Sequence, residues 1–247
     1  MRNLETVILA GGRGKRLGAV SDEIPKPLVS ICGKAIILHI VDYYISNGVD
    51  RFIICCGYKH AKLFEFLDTV GKLKCNNNDE VIVDYHGAEI VAKNTGVNTG
   101  TGGRIKEIKN MIEGDNFFMT YCDAMADIDL KGLRETHEQS GNIVTLSAVH
   151  PISQFGILSI DSNKRIIEFR EKERMNDLWI NGGFMIMNRE IFRYINSLDC
   201  SLEKDCFPIL TDGCKLGAFM HEGFWQCMDT LSEKESLELA LQERIGG

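Results

Sequence analysis

Proline is scarce in this chain, with four among 247 residues, and no low-complexity run is present to act as a linker. Nothing marks a boundary between separately folding units, so residues 1–247 read as a single domain, and chains of this size need not split. Positive charge is also in short supply. There are 28 lysines and arginines against 35 aspartates and glutamates, a net charge of −7. That balance argues against a nucleic-acid partner or an anionic membrane surface, either of which calls for clustered basic residues. No apolar run approaches the roughly 20 residues needed to span a bilayer. Nine cysteines occur without a C-x-x-C pair, which leaves a structural zinc without a scaffold. Their odd count and the lack of a secretory leader predict reduced thiols in a cytoplasmic protein. Apolar residues make up 44% and charged residues 26%, an ordinary soluble balance. Any phosphate site must therefore be a local basic pocket in an acidic protein.

Both common phosphate-loop signatures are missing as well. Gly11-Gly12-Arg13-Gly14-Lys15-Arg16-Leu17 follows the apolar run Val7-Ile8-Leu9 and precedes Pro25-Lys26-Pro27. It is not a G-x-x-x-x-G-K-[ST] loop, and Gly12-x-Gly14 lacks the third glycine of G-x-G-x-x-G. The missing glycine removes a dinucleotide-dependent oxidoreductase from consideration. Glycines directly after a strand let the backbone turn sharply and bring N–H groups near a ligand. Arg16 and Lys26 add positive charge beside the same turn. Together these features describe a cradle for a polyphosphate. Taken alone, they fit a glycine-rich surface turn with solvated charges equally well.

Strand and helix patterns alternate through the first half. Val7–Leu9, Arg51–Cys56, Val81–Tyr85, Phe117–Tyr121 and Ile143–Val149 read as strands. Ile36–Ser46, Ala61–Val70, Arg104–Ile112 and Leu130–Gln139 read as helices, with Asp129 capping the last. This predicts an α/β fold, Rossmann-like, with a mostly parallel sheet and helices on both faces. In the second half, Phe155–Ile160 and Ile166–Arg170 suit a hairpin, Gly183–Met187 a strand, and Arg189–Ser197, Leu202–Leu210 and Ser232–Gln242 helices. These form a small C-terminal elaboration. Open α/β sheets bind ligands beyond the carboxyl ends of their strands. Gly11–Leu17 and Asp123 both fall at such ends.

The glycine loop with Pro25-Lys26-Pro27 resembles the signature of the sugar-1-phosphate nucleotidyltransferases. Cys56-Gly57-Tyr58-Lys59, Thr101-Gly102-Gly103-Arg104, Tyr121-Cys122-Asp123, Phe155-Gly156, Glu171-Lys172, Trp179–Phe184 and Gly223–Thr230 recur in the order of that family. The set is most similar to the glucose-1-phosphate cytidylyltransferase branch and covers nearly the whole chain. The resemblance implies the nucleotide-diphospho-sugar transferase type of fold. It also implies an enzyme that couples CTP to a phosphorylated small molecule, releases pyrophosphate, requires Mg²⁺ and assembles as a homo-oligomer. Asp123 and Asp229 are the implied metal ligands, and oxygen donors with substrate phosphates suit a hard cation. Arg16 is expected to grip the β- and γ-phosphates, Lys26 to neutralise the α-phosphate, and Lys172 to hold the acceptor phosphate. Ala10, Gly11, Gly12, Gly14, Lys15, Thr101, Gly102 and Gly103 complete the expected nucleotide site with Asp123. Asn181, Gly182 and Gly183 complete the expected acceptor site with Lys172 and Asp229.

Some positions depart from the pattern. Lys15 replaces a threonine, Cys122-Asp123-Ala124 replaces G-D-G, Glu173 replaces the proline of E-K-P, and Leu202 stands in place of a tryptophan before Glu203. The metal and phosphate positions persist while those near the acceptor drift. Nucleotidyl transfer is therefore expected, with a sugar 1-phosphate as the first acceptor. A phosphorylated amino acid, phosphocholine, or a sensor without turnover stand as alternatives.

Overall fold

The computed structural model describes residues 4–14, 16, 18 and 23–245. Lys15 lies outside the described residues. Thr6–Ala10 forms β1, and every one of its residues is buried. A strand without polar alternation must be covered on both faces, and β1 lies near the middle of a nine-stranded sheet. The other strands are β2 (Arg51–Cys56), β3 (Lys72–Asn76), β4 (Glu80–Tyr85), β5 (Ala88–Asn94), β6 (Asn116–Tyr121), β7 (Val144–Val149), β8 (Ile180–Asn188) and β9 (Leu216–Met220). Their spatial order is β9-β7-β8-β6-β1-β2-β5-β4-β3. All strands except β4 and β8 run in the direction of β1. The sheet is mixed and mostly parallel.

Side-chain alternation divides the core between the two faces. Ile8 and Ala10 of β1 join Phe52, Ile54 and Phe118 on one face. There they meet α1 (Ile36–Ser46), α2 (His60–Val70), α4 (Leu130–Ser140) and α6 (Leu231–Ile245) through Ile40, Tyr44, Leu63, Leu133 and Leu237. Val7 and Leu9 join Ile53, Phe117 and Met119 on the other face. That face is covered by α3 (Thr101–Glu107) and α5 (Phe207–Asp212), with Ile105, Leu202 and Leu210 buried against it. Helices thus cover both faces, as expected. Asp129 caps α4 by accepting from the Gly132 N–H at 2.9 Å. Among the described residues, no helix is long and apolar enough to cross a membrane.

Several elements differ from the sequence expectation. Val81–Tyr85 lies in β4 and is antiparallel to both neighbours. A two-residue turn at His86 and Gly87, both at positive φ, reverses the chain directly into β5. Positive φ at both central positions is the hairpin geometry that matches strand twist. The partner strand β3 reads Lys-Leu-Lys-Cys-Asn and is mostly exposed, so it carries no apolar signal. The helix expected over Arg104–Ile112 is the shorter α3. Arg189–Arg193 is a 3-10 turn, and Leu202–Cys206 a wide π turn that leads into α5. Pro208 explains the break between turn and helix, because it has no N–H for the carbonyl four residues back. The expected hairpin is present at Ile157–Ile160 and Ile166–Arg170.

α3 rests on the segment 198–200. The Gly102 and Gly103 N–H groups donate to the Cys200 carbonyl at 2.9 and 3.2 Å. A Cβ on Gly103 would run into the Leu198 carbonyl, whereas one on Gly12 would meet nothing within 4 Å. Gly103→Ala is therefore expected to lower unfolding free energy by about 1–3 kcal/mol, with Gly12→Ala near neutral. Urea unfolding of the two variants measures the difference.

Candidate active site

Parallel pairing sets Leu9 opposite Tyr121, so β1 and β6 end side by side. The glycine loop leaves one end and Cys122-Asp123 leaves the other. Asp229 arrives from far along the chain. Ala124–Ala126 pairs antiparallel with Trp225–Cys227, and the Met228 N–H donates to the Asp123 carbonyl at 2.7 Å. This two-stranded ribbon sets the two carboxylates beside each other. The N-terminus of α6 then fixes Asp229. Glu233 accepts from the Asp229 and Thr230 N–H groups at 2.8 and 2.9 Å, while Thr230 Oγ1 accepts from the Glu233 N–H at 3.2 Å. Thr-x-x-Glu is a capping box. Its sequence signal was available, and the expected site did not include it.

Lys26 closes the constellation. It opens a 3-10 turn at Lys26–Leu28, and its side chain is 9% exposed. Its Nζ donates to Asp123 Oδ2 at 2.9 Å and to Asp229 Oδ1 at 2.7 Å. Burial works to lower the Lys26 pKa, yet the charges and hydrogen bonds of Asp123 and Asp229 outweigh it and raise the pKa. Arg16 adds a contact of 3.0 Å to Asp229 Oδ2. The two carboxylates thus converge on one point at which the Lys26 ammonium sits, and oxygen donors of this kind are those a hard cation takes. Asp127 is turned to other work, accepting from the Phe224 N–H at 2.7 Å and Arg244 at 3.0 Å.

A cleft of about 460 Å³ opens beside this point. Gly11, Gly12, Gly14, Arg16 and Lys26 line it, with Thr101, Asp123 and Asp229 opposite. Ala10, Gly102 and Gly103 do not. Ala10 is paired with Cys56 inside the sheet, and the glycine N–H groups are spent on Cys200. Thr101 reaches the cleft but also donates to Glu203 at 2.7 Å, and Glu203 accepts from the Tyr121 hydroxyl too. Burial works to raise the Glu203 pKa, but the hydrogen bonds from Tyr121, Ser201 and Thr101 overcome it, so the carboxylate stays below its ordinary range.

Arg104 is the residue that sequence reading passed over, although it closes the Thr101-Gly102-Gly103-Arg104 motif. The residue is 5% exposed, with its guanidinium against the glycine loop. Nη1 donates to the Cys56 carbonyl, Thr95 Oγ1 and the Gly96 carbonyl at 3.0, 2.7 and 2.8 Å, and Nη2 to the Gly11 carbonyl at 3.1 Å. A Cβ on Gly11 or Gly57 would strike this guanidinium. Those glycines therefore serve close packing against Arg104 as well as the ligand. The thiols around it remain protonated, since burial pushes Cys55 and Cys122 up to about 12 against the opposing pull of Arg104. The charge rests on carbonyl dipoles instead of a carboxylate.

Lys172 lies elsewhere. With Gln154, Trp225, Gln226 and Cys227 it lines a second cleft of about 430 Å³. Cys227 and Thr230 face this cleft while Asp229 between them faces the first, so one short segment forms the wall of both. Asn181 Oδ1 accepts from the Gly183 N–H at 2.9 Å, which closes its own turn. Gly182 and Gly183 make room for Ser147, Val149 and the Tyr121 ring. None of these three lines either cleft.

A glycine loop, two cations and a carboxylate pair at the strand ends of an α/β sheet define an enzyme that handles nucleotide phosphates. Residues 5–232 match the nucleotidyl transferase family, and the chain belongs to it. It is 36% identical over 247 residues to a glucose-1-phosphate cytidylyltransferase of Salmonella typhi, covering 95% of each chain. It is 34% identical to a probable glucose-1-phosphate cytidylyltransferase of Bacillus subtilis (strain 168), covering 92% of each. Among solved structures, HddC from Yersinia pseudotuberculosis superposes with a TM-score of 0.70 at 26% identity, over 97% of this chain and all of that one. HddC has also been solved in complex with GMP-PN. The protein is a nucleotidyltransferase.

Removing the Arg104 guanidinium would take the donor from the Gly96 carbonyl and from Thr95 Oγ1, while the Cys56 and Gly11 carbonyls keep the Thr95 and Tyr58 N–H groups. A buried polar group left unpaired costs about 1–3 kcal/mol. Arg104→Met is expected to lower the urea midpoint and to weaken nucleotide binding together. Calorimetry and unfolding on the same preparation check both.

Proposed function

We propose that the protein transfers a cytidylyl group from CTP to a phosphorylated small molecule, releasing pyrophosphate, with Asp123 and Asp229 as ligands for Mg²⁺. The observation that carries this reading is the convergence of both carboxylates on the Lys26 ammonium at the mouth of the glycine-loop cleft. An acceptor phosphate oxygen is already anionic at neutral pH, so no general base is needed. It attacks the α-phosphorus, forming one P–O bond as the bond to the leaving pyrophosphate breaks. The protein's task is to align these groups and to balance their charge. Arg16 meets the β- and γ-phosphates, the glycine-loop N–H groups meet the same oxygens, and Lys26 meets the α-phosphate. When bound between Asp123 and Asp229, Mg²⁺ supplies charge neutralisation at the reacting oxygens and helps orient them. Lys172 is the acceptor-phosphate ligand of this scheme; it lines the second cleft, so the acceptor phosphate has to reach past residues 227–230 to meet the α-phosphorus beside Asp229.

Cytosine as the base is supported by the named relatives. A site built to pair one base discriminates strongly, because the wrong base leaves polar atoms unpaired. A sugar 1-phosphate is the first acceptor. A non-sugar phosphate is favoured by one feature: Leu202, where glucose-type enzymes carry tryptophan, is wholly buried, and Glu203 beside it is taken up by Tyr121, Thr101 and Ser201.

Pyrophosphate release with CTP, UTP, dTTP, ATP and GTP, crossed with hexose and heptose phosphates, phosphocholine and phosphorylated amino acids, tests the reading. Turnover with CTP and one acceptor is expected, and turnover with another nucleotide alone would reject cytidylyl transfer. Asp123→Ala and Asp229→Ala are each expected to lower kcat at least ~10²-fold. Wild-type rates at limiting Mg²⁺ would reject their metal role. Lys172→Ala is expected to raise KM for the acceptor and leave that for CTP unchanged.

A further inference from the structure

The charges at the mouth of the cleft already balance. Two carboxylates, Asp123 and Asp229, meet two cations, Lys26 at 2.9 and 2.7 Å and Arg16 at 3.0 Å. A divalent ion bound between the two carboxylates, at roughly 2.1 Å for Mg²⁺, takes the bridging position that Lys26 holds on Asp123 Oδ2 and Asp229 Oδ1, with Arg16 on the other Asp229 oxygen. The ammonium and the metal cannot share that position, because two cations that close repel in a partly buried site. The Lys26 side chain is 9% exposed. Leaving the carboxylates therefore means finding another anion, since open water is not within easy reach. The glycine-loop cleft beside it is where a triphosphate would supply one.

We propose that Lys26 is an internal counter-ion that keeps the carboxylate pair closed to divalent metal until a nucleoside triphosphate draws it away. This rests on the metal role assigned above to Asp123 and Asp229. Once Arg16 and Lys26 turn to the phosphates, the carboxylates regain a net charge of −2, which a single divalent ion neutralises. Metal and nucleotide then bind as one coupled event. Linkage makes the coupling reciprocal, so metal in the carboxylate pair also frees Lys26 for the α-phosphate. In this scheme Lys26 serves the reaction twice, first as a placeholder and then as a phosphate ligand. The same exchange disfavours a site loaded with metal but empty of nucleotide.

The test uses Mn²⁺ as the probe, with no nucleotide present, and reads free Mn²⁺ by electron paramagnetic resonance. Lys26→Met is expected to bind one Mn²⁺ about tenfold or more tightly than the wild type, within the usual range of coupling between sites. Lys26→Arg, which keeps the charge, is expected to stay close to the wild type. Adding Asp123→Asn to Lys26→Met should abolish the gain. Equal Mn²⁺ affinity in the wild type and Lys26→Met overturns the counter-ion role while leaving the metal role standing. Tight Mn²⁺ binding that survives Asp123→Asn overturns the metal role itself, and the proposal with it. A second measurement needs no variant. Reductive methylation of Lys26 in the wild-type protein, followed by mass spectrometry, should rise several-fold when Mn²⁺ is added, in step with the same coupling. Unchanged labelling at saturating Mn²⁺ overturns the proposal independently.

Discussion

The contact on which the rest of the site depends is the bridge from Lys26 to Asp123 and Asp229. Its three members come from distant parts of the chain, and each is delivered by a different kind of element. Lys26 is set by a proline-flanked 3-10 turn, Asp123 by the end of a buried parallel strand, and Asp229 by a ribbon and a capping box. Two like charges brought together in a partly buried place repel. The ammonium makes their juxtaposition tolerable in the unliganded protein. Without a cation at that point, the ribbon between Ala124–Ala126 and Trp225–Cys227 would hold two carboxylates against each other.

A second buried charge supports the first. Arg104 stitches the loop after β1 to the segments after β2 and β5 through the carbonyls of Gly11, Cys56 and Gly96. A guanidinium has enough N–H groups in a fixed plane to hold several backbone segments at once. The glycine loop is therefore held in place from below by protein, independently of any phosphate. Such preorganisation matters for a reaction whose catalysis is mostly placement and charge. Arg104 anchors the loop where it leaves β1, and the Arg16 side chain reaches Asp229 at the cleft mouth.

Much of this was legible in the sequence, and the parts that were not share a cause. Strands with near-continuous apolar runs such as β1 and β2 announce themselves, because burial on both faces leaves little room for polar residues. β3 has two lysines among five residues, and each strand of the ribbon beside Asp123 is only three residues long, so neither stands out. Arg104 reads in sequence only as the end of a motif and the start of a helix, while tertiary structure placed it in the interior. Gly102 and Gly103 read as residues that admit a nucleotide, yet their smallness and N–H groups serve the chain segment 198–200. Glycine records that something comes close without recording what.

From sequence alone came the fold class, the family, the glycine loop and the identity of the charged residues around it. Those follow from local composition and order: apolar runs, turn residues and charges at set spacings. Tertiary structure alone decided that Asp229 stands beside Asp123, that Lys26 lies between them and that Arg104 lies beneath the loop. It also decided that Lys172 faces a separate cleft across a shared wall. These are meetings of residues from separate elements, set by strand register, hairpin reversal and the packing of α3 and α6. A linear pattern names the partners, but the fold brings them within bonding distance.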